Sequence, residues 1–149
     1  MERVQSWKAE KVKKAEAQLA RKLVYASGLP GGGLEDAELW CVKGERRRII
    51  AVAGLETWGI QGLLRSVAVD VDHRKEGVGT SLVRQIIAEA RKKKMTEVFL
   101  ITETAPLFFA RLGFKATERS RISGDVLDSI EFKEACSETA PVMWLDLRV

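Results

Sequence analysis

Hydrophobic positions along the chain fall into short blocks whose spacing predicts alternating helices and strands. Between Lys8 and Ser27, Val12, Ala15, Leu19, Leu23 and Ala26 recur every three or four residues, the spacing of one helix face. Gly28-Leu29-Pro30-Gly31-Gly32-Gly33 then stops the helix and leaves a loop that can border a ligand site. Arg3–Trp7 reads as a short strand ahead of it. Glu38–Val42 and Ile49–Leu55 are rich in β-formers and are joined by a turn at Lys43-Gly44-Glu45-Arg46. Gly54 interrupts the second run, which marks a bulge or a close backbone approach. Glu56-Thr57-Trp58-Gly59 is expected to turn the chain into a third strand, Leu63–Val69, completing an antiparallel meander.

The next block changes the pattern. Asp70–Val78 is polar and contains glycine. Over Thr80–Ala90 the apolar positions Leu82, Ile86 and Ala90, with Val83 and Ile87, return every four residues. Glu97–Ile101 is a second buried strand, and a helical crossover makes it parallel to Leu63–Val69. Pro106 suits the first turn of a helix that runs through Leu112 to a capping Gly113. Phe114–Ala116 starts a strand, Ser123–Glu138 is a polar and partly helical excursion, and Val142–Val149 closes as a strand. With no repeat and no linker, residues 1–149 are expected to form one α/β domain.

Composition narrows the classes without choosing among them. The chain is 46% hydrophobic and 31% charged, with a net charge of +4. Arg46-Arg47-Arg48 and Arg91-Lys92-Lys93-Lys94 read as a solvated hairpin end and a helix C-terminus complemented by cations, so no nucleic-acid partner is expected. No apolar run has membrane-spanning length, and the charged N-terminus lacks an apolar signal core. Neither a membrane partner nor export is expected, and the expected location is the cytoplasm. Cys41 and Cys136 stand far apart and His73 is the only histidine, so neither a disulfide framework nor a metal site is implied.

Chemistry concentrates in Arg74-Lys75-Glu76-Gly77-Val78-Gly79, set between a strand and a helix. Glycines let the backbone turn tightly and approach a ligand. The first helical amides have no partner inside the helix, and the helix dipole adds positive potential, so such a loop can hold phosphate. A nucleotide P-loop is excluded because GxxxxGK followed by Ser or Thr is missing. A dinucleotide fingerprint fails at Leu82, where a third glycine belongs. Neither HExxH nor GxSxG occurs.

Arg74-x-x-Gly77-x-Gly79 resembles the pyrophosphate-binding motif of the GCN5-related N-acetyltransferase (GNAT) superfamily, and Ala105–Phe114 resembles its second motif. Gly28-Leu29-Pro30, Gly54-Leu55-Glu56, Leu63-Leu64-Arg65-Ser66, Phe108–Phe114, Glu131-Phe132…Cys136 and Val142-Met143 are further similar to the small N-acetyltransferases encoded with arsenic-resistance genes. Those in turn look like amino-acid N-acetyltransferases. The resemblance implies a mixed, mostly antiparallel sheet of six to seven strands, splayed at a central parallel pair and flanked by helices. It implies acetyl-coenzyme A as co-substrate and a small-molecule amine, an amino acid or its analogue, as acceptor.

The resemblance also implies a site. Val67, Ala68 and Val69 would pair with the pantetheine arm, and Arg74, Lys75, Glu76, Gly77, Val78, Gly79 and Thr80 would hold the pyrophosphate. The amide of Val67 would meet the oxyanion. Glu56, at the end of its strand, is the preferred base, with Glu103 the competitor. Many relatives carry a tyrosine where this chain has Phe109, which lines the cofactor and cannot donate a proton. Arg65, a charge inside an apolar strand, would grip an α-carboxylate, pair with a neighbouring strand's Glu, or lie on the strand's solvated face. Thr102, Glu103 and Thr104 complete the acceptor side. A coenzyme-A-binding module without catalysis and an acetyltransferase acting on protein lysines or N-termini stay open as alternatives, as does a homodimer.

Overall fold

A computed structural model describes residues 7–29, 31–129, 132 and 140–148. In chain order the elements are β1 (Ala9–Lys11), α1 (Ala17–Ala26), β2 (Glu38–Lys43), β3 (Ile49–Trp58), β4 (Gln61–Val69), α2 (Val78–Lys92), β5 (Glu97–Ile101), α3 (Pro106–Arg111), β6 (Lys115–Thr117) and β7 (Val142–Asp146). The strands make one mixed sheet in the order β1-β2-β3-β4-β5-β7-β6. Among the described residues only β4 and β5 run parallel; every other neighbouring pair is antiparallel. Helix α2 makes the crossover between them, as the spacing of Leu82, Ile86 and Ala90 predicts.

Alternation within the strands divides the core by face. On one face α2 buries Leu82, Val83, Ile86 and Ile87 against Leu55, Leu64, Val98 and Leu100, each such side chain contributing about 1.5–3 kcal/mol of burial. On the other, α1 sets Ala20 and Val24 against Cys41, Val52 and Ala68. Beside it the segment after β6 lays Ile122 and Val126 on Leu63, Phe99 and Val142. Burial pushes the Cys41 thiol up to about 11, as expected of a small core hydrophobe.

The chain before α1 departs from its apolar spacing. Ala9–Lys11 is a strand on the edge of β2, pairing Glu10 with Cys41, and the α-helix begins only at Ala17. Two contacts outweigh helix periodicity there. Gln85 of α2 accepts from the Ala9 amide at 2.8 Å, and Lys43 pairs with Glu10 at 3.2 Å and Glu16 at 2.6 Å. Those hydrogen bonds from Lys43 hold both carboxylates below their usual range. Residues 3–6 of the expected first strand, Pro30, Glu131 and Cys136 lie outside the described residues.

Strand β3 also runs further than expected. It continues to Trp58 and turns at Gly59-Ile60, so Glu56 lies inside the strand and is buried, not at a strand end. The reason is its register: Glu56 faces Leu63, and Trp58 faces Gln61.

Candidate active site

The central parallel pair supplies the site by coming apart. Pairing of β4 with β5 runs from Gln61↔Glu97 to Leu63↔Phe99 and ends there. Strand β5 stays with β7 along its whole length, from Glu97↔Asp146 to Ile101↔Val142. The second half of β4 therefore keeps β3 on one side and faces a cleft of about 680 Å³ on the other. An open strand edge offers backbone donors and acceptors to an extended amide-bearing ligand.

A bulge re-aims that edge. Between the pairs Val52↔Ala68 and Gly54↔Arg65, Ala53 stands opposite both Ser66 and Val67. Ser66 takes φ +58°, a left-handed conformation that a non-glycine residue adopts only when its surroundings enforce it. Ser66, Val67, Ala68 and Val69 all line the cleft.

Helix α2 closes one end of the cleft. Lys75 and Gly77 have φ +69° and +85°, so the loop curls back before Val78. A side chain at Gly77 would be strained by that φ alone. At Gly79 the limit is space: a Cβ would lie 3.2 Å from Val69 Cγ2 and 3.5 Å from Phe108 Cζ. The glycines thus keep the first amides of a long helix open to an anion. Arg74, Lys75, Gly77, Val78, Gly79 and Thr80 line the cleft, whereas Glu76 is exposed and is not part of the lining. Arg74 Nε donates to the Val69 carbonyl at 3.3 Å, tying the loop to the strand it follows. A pyrophosphate fits this cradle by charge, by donor set and by the room the two glycines leave.

The remaining expected residues divide. Glu103 and Thr104 are exposed and line the cleft at the end of β5. Thr102 lines it too, but its hydroxyl accepts from the Ala105 amide at 3.0 Å and shapes the turn into α3. Phe109 is buried against the cleft, edge-on to Phe108 and Phe114. Glu56 is absent from the lining. Its Oε1 accepts from Trp58 Nε1 at 2.8 Å and its Oε2 from Arg65 Nη1 at 3.0 Å, with both charged side chains almost wholly buried. Arg65 lines the cleft, and its charge is met by a carboxylate of the neighbouring strand, one of the three readings open for it. Sequence reasoning passed over Ser66, Phe108 and Arg111, which also line the cleft. All three lie in segments that carry the family resemblance, and Ser66 also stands out as a polar residue beside Arg65 in an apolar run.

This splayed sheet with its glycine cradle agrees with the comparisons to known proteins. A family model for the acetyltransferase (GNAT) domain matches residues 35–116, and the chain belongs to that family. It is a family of acetyl-coenzyme-A-dependent N-acyltransferases. Over 74 residues the chain is 35% identical to an amino-acid acetyltransferase of Mycobacterium tuberculosis (strain ATCC 25618 / H37Rv). That match takes in 49% of this chain and only 41% of the relative's length.

Among solved structures, a GNAT-family acetyltransferase from Staphylococcus aureus Mu50 superposes with a TM-score of 0.79 at 13% identity, over 96% of this chain and 100% of that one. A Mycobacterium tuberculosis protein in complex with CoA gives 0.78 at 20% identity, over 94% and 99%. N-acetylglutamate synthase from Neisseria gonorrhoeae, complexed with coenzyme A and N-acetyl-glutamate, gives 0.80 at 13% identity, over 99% of this chain and 36% of that one. These likenesses establish the fold. Among the described residues no helix is long and apolar enough to cross a membrane.

Proposed function

We propose that this chain is an N-acetyltransferase that moves the acetyl group of acetyl-coenzyme A to the amine of a small molecule, an amino acid or an analogue of one. The observation that carries the reading is the cleft itself: an open β4 edge running into the amides and cations at the start of α2. Bound acetyl-coenzyme A supplies an activated thioester carbonyl. The edge of Val67–Val69 would align its amide-bearing arm, and the loop from Arg74 to Thr80 would hold its phosphates.

The chain's own groups account for much of the rest. The Ser66–Val67 peptide, out of register with β3, offers an N–H to the charge that develops on the acyl oxygen. Glu103 is the carboxylate of the cleft lining, and among the described residues no hydrogen bond or ion pair engages it. It is better placed to take the amine proton, directly or through water, than Glu56, whose two oxygens are already committed. Phe109 supplies no proton, so the departing thiolate is protonated from water or leaves unprotonated, as a thiol with a pKa of about 8.5 allows.

An amino-acid acceptor is supported by the 35% identity to the mycobacterial amino-acid acetyltransferase. The competing substrate class is a protein N-terminus, since the ribosomal-protein-S18-alanine N-acetyltransferase of Escherichia coli also superposes, with a TM-score of 0.68 at 17% identity over 96% of this chain and 95% of that one. Thiol release from acetyl-coenzyme A should be measured with amino acids, phosphinic and arsonic analogues, polyamines and peptides. The expected result is turnover with an amino-acid-like amine, lost in Glu103→Gln. Turnover with peptides alone would transfer the reading to protein acetylation. Tight coenzyme binding with no turnover would make the chain a binding module.

A further inference from the structure

Among the described residues Ser66 is the non-glycine residue inside a strand that is held at positive φ. Such a conformation persists only when the surrounding structure over-determines it. Three features do so here. The register traps it, because the pairs on either side fix β4 against β3 with one residue to spare. Arg65 Nε donates to Ser66 Oγ at 3.2 Å. The same guanidinium is anchored by Glu56 at 3.0 Å, and Glu56 in turn by the Trp58 indole at 2.8 Å.

Gly54 belongs to this arrangement. It faces Arg65 across the ladder, and a Cβ there would lie 3.5 Å from Arg65 Cγ, 3.1 Å from Ala37 Cβ and 3.3 Å from Leu39 Cδ2. The arginine stem therefore lies over a residue with no side chain. A buried ion pair adds little net stability against a well-packed apolar pair, because desolvation offsets the attraction. What it does add is geometry: a planar guanidinium that holds Glu56 and Ser66 in fixed directions.

We propose that Arg65 is a positioning residue for acetyl transfer. Clamped by Glu56, it holds the Ser66 hydroxyl and so sets the direction of the Ser66–Val67 peptide, whose N–H serves the reacting carbonyl. The clamp rests on the acetyl-transfer reading, and it replaces a direct grip of Arg65 on the acceptor. A grip spends the guanidinium on the substrate and shows in KM. A clamp spends it on the protein and shows in kcat.

The test uses the double variant Glu56→Gln/Arg65→Met, which removes both charges so that neither is left buried alone, together with Ser66→Val and Ser66→Gly. Each is followed by coenzyme A calorimetry, by kcat and KM for the best amine, and by the amide resonance of Val67. The double variant should lose about 100-fold in kcat, the range for one misplaced oxyanion donor, with KM for the amine within about threefold and the Val67 resonance shifted. Ser66→Val, which resists positive φ and lacks the hydroxyl, should lose a comparable factor, and Ser66→Gly, which accepts positive φ but also lacks the hydroxyl, an intermediate one. A risen KM with kcat intact, an unmoved Val67 resonance, or full kcat in Ser66→Val overturns the clamp. A wild-type chain that binds coenzyme A but acetylates no amine would end the transfer reading instead. The Val67 resonance then decides the clamp alone, a shift in the double variant upholding it and no shift overturning it.

Discussion

The opening residues of β4, Gln61–Leu63, and the remainder, Leu64–Val69, share a strand but not a surrounding. Gln61–Leu63 has β3 on one side and β5 on the other. Its polar groups are also closed off by side chains. Gln61 Nε2 donates to Glu97 Oε2 at 2.9 Å and to the Ser123 carbonyl at 2.6 Å, and Gln61 Oε1 accepts from the Val126 amide at 3.1 Å. Glu97 accepts in addition from Trp144 Nε1 at 2.9 Å. Leu64–Val69 has a partner strand on one side, a bulge, a left-handed serine and the cleft. The closed half spends its hydrogen-bonding capacity on the fold, and the open half leaves a backbone edge for a ligand. Substitutions should therefore separate: near the closed half they cost stability, and near the open half they cost binding or rate.

The largest effect is expected where the open half meets α2. Gly77→Asp places a side chain in space with no atom within 4 Å, so strain at φ +85° is its main structural cost, about 1 kcal/mol. Its carboxylate would face the phosphates at the helix N-terminus. Coenzyme A affinity, measured by calorimetry, should fall about 100-fold, equivalent to roughly 2.7 kcal/mol. Wild-type affinity in a folded variant would detach the loop from the proposed site. The closed half offers the converse. Gln61→Leu strands the Val126 amide, the Ser123 carbonyl and one oxygen of Glu97, and should lower the urea-derived unfolding free energy by about 2–3 kcal/mol. Coenzyme A affinity should stay within about threefold. An equal loss of both would show that the two halves are not separate.

The two halves were also unequally legible in the sequence. The parallel pair and its crossover follow from apolar spacing in α2 and from two buried runs, and local rules suffice for them. The glycine cradle was legible for the same reason: its chemistry lies in six consecutive residues. Ala9–Lys11 reads as helix in the sequence because Val12, Ala15 and Leu19 keep helical spacing, whereas the deciding partners, Gln85 and β2, are distant in the chain. Glu56 departs from its expected place at a strand end for a related reason. A charged residue ahead of Gly59 looks like a turn until its register is known. Once the turn is put at Gly59-Ile60, Glu56 and Arg65 fall on the same face as diagonal neighbours, and their pairing follows. The bulge was hinted at by Gly54, but the strained residue is Ser66 on the opposite strand, which no spacing rule singles out.

A matched pair of glycines gives the smallest and sharpest separation. Gly62, in the closed half, has Met95 Sδ 2.8 Å and Leu55 Cδ1 3.2 Å from where its Cβ would stand. Met95 and Leu55 are both buried, so Gly62→Ala must push into the core, a cost of about 1–2 kcal/mol. Gly54, opposite the open half, has wider limits, the nearest being Ala37 Cβ at 3.1 Å. Replacing a strand glycine returns about 0.5–1 kcal/mol of backbone entropy, so Gly54→Ala should leave the urea midpoint close to that of the wild type. Ala37 and Leu39 must give by a few tenths of an ångström, while the new methyl meets the Arg65 stem in ordinary contact at 3.5 Å. An adjustment of that size beside a group that positions an oxyanion donor should lower kcat about fivefold, well short of removing the donor. Gly62→Ala is thus expected to be less stable with normal kcat, and Gly54→Ala normally stable with reduced kcat. If both variants lose stability and neither loses rate, β4 is one structural strand throughout and the bulge has no part in catalysis.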